Sequence, residues 1–193
     1  MVGDRIVFCD TLRDRYFCLP ETANRKLVHR LAHEPDRQWH QPAELPRPSS
    51  WKPPVKTFHR DMSGSFDLAQ IARALWVQRR IERRIAARSL RNVLLETRAL
   101  LDRCSQGSLS PDPRAERCIR AFEQAKLLRS AADRCLARSI ALAICLASGG
   151  VRASVVIGVQ LPPFAAHAWT QYDDLVLNDS AEEARRFQPI FVI

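Results

Sequence analysis

Residues 133–178 constrain the fold most, because the hydrophobic period changes part-way along them. Residues 133–147 are largely apolar, of helical length, and closed by Gly149 and Gly150, residues that favour a helix C-terminus. Residues 153–161, with VVIGV at their centre, have the β-branched character of a buried strand. Pro162-Pro163 turns the chain, 166–172 reads as a second strand, Asp173-Asp174 as a tight turn and 175–178 as a third strand. Helices followed by such a meander predict an α+β domain in which a helix packs on an antiparallel sheet.

Upstream, Ile71, Ala74, Val77, Ile81 and Ile85 fall on one helical stripe. Leu90, Leu94, Thr97 and Leu101 continue on a rotated stripe, so the spacing predicts a bend or a new helix near Ser89. Residues 107–113 read as a loop and 114–128 as a further helix. Near the N-terminus, 5–19 reads as two short strands joined by a charged turn, and 21–32 as a helix carrying Ala23, Leu27, Val28 and Leu31. Between these halves, 35–56 holds six of the twelve prolines together with Trp39 and Trp51, the composition of a linker or irregular wrap.

The 193 residues suit one domain plus a small module. Asp4 and Arg5 stand where a signal peptide needs apolar residues. The longest uncharged stretch, 153–172, is a poor membrane span because it contains Gln160, Pro162, Pro163 and His167. A soluble, cytoplasmic protein is therefore expected. The six cysteines form no CxxC pair and read as reduced thiols, with no Cys/His spacing that suits zinc. The net charge is +9, from 26 Arg and 4 Lys against 21 acids, and nine arginines against three acids lie between Arg73 and Arg103. An anionic partner would fit that segment, but the solvated face of an amphipathic helix explains it with less. Trp76 is the one aromatic among these arginines, which argues against a base-stacking platform and hence against nucleic acid.

Three residues stand out for chemistry. With Asp133 as N-cap, Cys135 falls at about the second helical position, where free backbone N–H groups and the helix dipole favour a thiolate. Arg134 and Arg138 push the same way. The plainer reading of Cys135 is a small buried hydrophobe, which suits Cys145 well. His167, in AAHAW on a strand, is either a hydrogen-bonded structural residue or a general base. Asp179 ends the next strand, level with His167 or one pair beyond it, and is either turn chemistry or a carboxylate that orients the imidazole. Asn178 is an alternative orienting group. Cysteine, then histidine, then aspartate is the order of papain-like and transglutaminase-like enzymes, although the 32-residue Cys-to-His interval excludes papain proper.

Residues 134–179 resemble the leader peptidases of lasso-peptide biosynthesis, within the transglutaminase-like superfamily. The matching pieces are CLARSIAL, VVIGV, PFAAHAW and the terminal ND. The resemblance implies a transglutaminase-like/papain-like core with Cys135, His167 and Asp179 as catalytic triad, preceded by a helical lead-in. RIVFCDTLRDRYFCLPE is similar to the strands of the small leader-recognition module that precedes the peptidase in fused lasso enzymes. The implied organisation is a partial β-hairpin-plus-helix recognition module over 1–34, a proline-rich linker over 35–64 and the cysteine peptidase domain over 65–193. The resemblance implies removal of the leader from a ribosomal precursor peptide. The new amine would pass to an asparagine-synthetase-like cyclase. No GxxxxGK[ST] loop is present, so no cofactor is expected on this chain and any ATP is placed on the cyclase. Two alternatives stand beside this reading: a transglutaminase-like amide transferase, and a non-enzymatic basic nucleic-acid-binding or adaptor protein.

Overall fold

A computed structural model describes residues 5–13, 15–33, 51–58, 66–104, 113–129 and 134–193. Strands β1 (Val7–Asp10) and β2 (Arg15–Cys18) form an antiparallel hairpin, followed by helix α1 (Glu21–His33). Phe8 and Phe17 face each other across the ladder with ring centroids 5.1 Å apart, and Asp10 Oδ1 accepts from the N–H groups of Leu12 and Arg13 to shape the turn. Asn24 Oδ1 accepts from Ile6 N, which ties α1 to the start of the hairpin.

The proline-rich stretch ends in order. Trp51 packs against a hydrophobic cluster, and β3 (Lys56–Thr57) joins a sheet; Trp39 lies outside the described residues. Helices α2 (Leu68–Ala87) and α3 (Leu90–Asp102) follow, split at Ser89, whose hydroxyl caps α3 by accepting from Asn92 N. The two apolar stripes thus belong to two helices. Helix α4 (Pro113–Leu128) begins at Pro113, a position where proline's missing N–H costs nothing; the rest of the expected 107–113 loop lies outside the described residues.

Helix α5 (Cys135–Ser148) is the centre of the molecule, with ten residues buried. It touches α2, α3 and α4 on one side and β4 (Ser154–Gln160) and β5 (Ala165–Tyr172) on the other. The Pro162-Pro163 peptide between these strands is cis, and Asp173 takes a positive φ of 52° in the turn after β5. Strand β6 is shorter than expected, Leu175–Val176, because Asn178 and Asp179 leave the ladder to make side-chain contacts. Helix α6 (Ala181–Arg185) and β7 (Gln188–Val192) complete the chain.

The sheet order is β3-β6-β5-β4-β7. The meander is antiparallel as expected, but β3 runs parallel to β6, so the sheet is mixed. The main core joins α2–α5 to one sheet face through Leu94, Ile119, Ile140, Leu142, Val155 and Leu177, among others. A smaller cluster around Trp169, Val176, Ala184 and Phe187 covers the other face. The fold is α+β, with a helix packed on a sheet and a separate N-terminal hairpin, as the hydrophobic pattern indicates. Among the described residues no helix is long and apolar enough to cross a membrane.

Candidate active site

The helix start differs from expectation. Helix α5 begins at Cys135 itself, with Arg134 in the cap position and no side-chain cap hydrogen bond. Cys135 is therefore the first helical residue rather than the second, and Asp133, the expected cap, lies outside the described residues. The physical consequence survives the shift, since the first turn still presents unpaired backbone N–H groups. The N–H of Leu136 and that of Ala168, on β5, both stabilise the sulfur.

His167 stands on β5 opposite Gly158 of β4. Its Nε2 lies 2.8 Å from Asp179 Oδ2, and its side chain is 16 % exposed. With Nε2 committed to the carboxylate, Nδ1 is left to take up the hydrogen bond that the imidazole shares with Cys135. Sulfur, imidazole and carboxylate thus form one hydrogen-bonded row. Asp179 Oδ1 also accepts from Ser180 N at 2.8 Å.

The row is polarised. Burial is the largest influence on Cys135 and pushes its thiol up, but the His167 hydrogen bond and charge, with the two backbone N–H groups, outweigh it and hold the thiol below its ordinary value. Burial also works against a charged imidazole, yet Asp179 and Cys135 together raise His167 to about 9. Asp179 is lowered: burial opposes ionisation, and the His167 hydrogen bond, the Ser180 N–H and nearby positive charge prevail. All three directions favour a thiolate–imidazolium–carboxylate row.

Other side chains fix the three elements in register. Ser139, one turn beyond Cys135, donates to Ala168 O at 3.0 Å, and its own carbonyl accepts from Thr170 Oγ1 at 3.0 Å. Asn178 Nδ2 donates to Ser139 Oγ at 2.9 Å, while Asn178 Oδ1 accepts from Thr170 N at 2.8 Å. This buried network clamps α5, β5 and the segment leading to Asp179. Asn178 therefore does not orient His167, the alternative the sequence leaves open; it braces the residue that does. Phe187 lies against His167, with ring centroids 5.1 Å apart, and Trp169 stacks at 6.1 Å. Gly158 makes room for both, because a Cβ there would sit 2.8 Å from Phe187 Cβ and 3.1 Å from the Trp169 ring.

The sequence does not single out Ser139, Thr170, Gly158 or Phe187 as site residues. A serine in a largely apolar helix is the available signal for Ser139; Phe187 has none, because it reaches the site through the return of the C-terminal segment. Cys145 is buried, as a small hydrophobe should be, and shares a hydrogen bond with Cys118 of α4. Arg134 and Arg138 differ in their surroundings: Arg134 reaches Glu82 at 4.0 Å near the surface, whereas Arg138 is buried. All six cysteines are free thiols. Among the described residues no group of three or more His, Cys, Asp or Glu could hold a metal ion.

The model of a transglutaminase-like superfamily domain matches residues 68–192, about two thirds of the chain. The chain belongs to the transglutaminase-like superfamily. The matched region contains α2 through β7 and all three residues of the row. Membership supports cysteine-based amide chemistry of the protease or transglutaminase kind. No curated protein and no solved structure matches the chain.

Proposed function

We propose that this transglutaminase-like protein is a cysteine peptidase that removes the leader from a ribosomally made lasso precursor peptide. The observation that carries the peptidase reading is the hydrogen-bonded Cys135–His167–Asp179 row at the start of a buried helix. The likeness of CLARSIAL, PFAAHAW and ND to the lasso leader peptidases supports the choice of substrate. In this mechanism the Cys135 thiolate attacks the scissile carbonyl. The Cys135 backbone N–H contributes a donor to the tetrahedral oxyanion. The His167 imidazolium protonates the leaving amine, and the collapsing intermediate leaves an acyl-enzyme. Neutral His167 then takes a proton from water as it attacks, which releases the leader acid and restores the thiolate. Asp179 holds the imidazole orientation and stabilises its cation throughout.

The amine so exposed belongs to the core peptide and is the nucleophile that an ATP-using, asparagine-synthetase-like cyclase partner would join to a side-chain carboxylate. The hairpin and α1, over 1–34, serve as a partial leader-recognition module in this scheme, and the protein works in the cytoplasm. The test is mass spectrometry of a lasso precursor incubated with the protein. Cleavage at one leader–core junction, lost in a folded Cys135→Ala variant, is the expected result. Full cleavage by that variant overturns the reading, and a crosslinked product with an added amine would instead indicate amide transfer.

A further inference from the structure

Arg138 follows Cys135 by three positions on α5, so the two side chains are neighbours on one helix face. It is 6 % exposed, and among the described residues its Nε is buried without a hydrogen-bond partner. A buried guanidinium with an unsatisfied N–H is costly and needs a compensating interaction. That interaction is electrostatic: Cys135 and Asp179 both act on Arg138 to favour its charged form, against a burial effect that is larger and opposes it. Arginine stays protonated even so, because its solution value is so high.

The charges around the row make the role specific. Thiolate, imidazolium and carboxylate leave one negative charge in excess. Lys126 of α4, near Asp179, is engaged by Glu123 at 2.6 Å and by the Asn178 carbonyl at 2.8 Å. Glu82 of α2 is engaged by Arg129 at 2.9 Å and approached by Arg134. Arg138 has no carboxylate partner of its own within ion-pair distance among the described residues, so its charge is available to the row as a whole.

We propose that Arg138 is a positioning residue: a buried positive charge three positions from Cys135 on the same helix, which adds to His167 in favouring the ionised sulfur. The inference rests on the thiolate–imidazolium reading of the site but not on any particular substrate. During acyl transfer the negative charge moves from sulfur to the carbonyl oxygen without leaving the neighbourhood, so one fixed cation serves both states.

The experiment is site-specific alkylation of Cys135 by iodoacetamide as a function of pH, followed by mass spectrometry of the peptide carrying Cys135, with folding checked by circular dichroism. Arg138→Met, of similar length and without charge, moves the acid midpoint of alkylation upward, and the rate on the acid limb falls about two- to tenfold. Arg138→Lys retains most of the native profile. If Arg138→Met does not fold, Arg138→Gln takes its place in the same comparison. A folded neutral variant with the native profile overturns the proposal while leaving the row intact. An ordinary thiol profile in the native protein overturns both the proposal and the row on which it rests.

Discussion

At the scale of single residues, the behaviour of Cys135 and His167 with pH follows from their pairing. The thiol is held below its ordinary value by the His167 hydrogen bond and charge and by two backbone N–H groups, against burial, so the thiolate persists to lower pH than it would in a free cysteine. The imidazole is raised to about 9, so its proton is lost only as pH rises through that value. The proposed cleavage needs the thiolate and a protonated His167 together. Its rate should rise on the acid side with ionisation of the thiol and fall as pH passes about 9; the two limbs belong to the coupled pair. Asp179→Asn preserves shape but removes the charge that sustains the imidazolium. It should move the alkaline limb down and reduce kcat/KM about 10²- to 10⁴-fold, both measurable on a precursor peptide. His167 and Asp179 were legible as candidates because an imidazole and a carboxylate stood at matching distances from one tight turn. Arg138 was legible as a charge near Cys135 but not as a buried one, and Ser139 read as an ordinary helix residue, since nothing in its spacing tells that it bonds to β5 and Asn178.

At the scale of elements, the site depends on the register of α5 against β5. Ser139→Ala removes a hydroxyl that serves both Ala168 O and Asn178 Nδ2 and leaves those buried groups without it. Denaturant unfolding should show a loss of about 1–3 kcal/mol. Gly158→Ala tests the packing behind His167. The added methyl meets Phe187 Cβ at 2.8 Å, a contact that cannot persist, so Phe187 or the strand must move. A loss of about 1–3 kcal/mol is expected in the same measurement, with slower alkylation of Cys135 as His167 loses its backing. The break between α2 and α3 was visible in advance because the apolar stripe rotates and Ser89 is a good cap. Strands β3 and β7 were not. A two-residue strand has no period to read, and β7 contains Pro189, which pairs opposite Gly158 beside a register shift where the ladder is already interrupted.

At the scale of the whole molecule, α5 is shared by the helices and the sheet, so the region from α2 to β7 should unfold as one unit. Leu142, on α5, is fully buried in the main core. Leu142→Ala should cost about 2–5 kcal/mol, with transitions followed by far-UV and near-UV circular dichroism remaining coincident. Separated transitions would show that helices and sheet are independent. Short-range order was determined by the sequence: helical and alternating periods, caps and proline turns act over a few residues and specify each element and the α+β class. Cys135 and His167 were also candidates from local context, one at a helix start and the other on an apolar strand. Tertiary structure alone decided that their side chains meet, that Asn178 braces rather than orients, that Phe187 closes the back of the imidazole, and that Arg138 is buried. Those outcomes depend on packing between segments far apart in the chain, where the free energy lies in contacts and charge separations that no local pattern records.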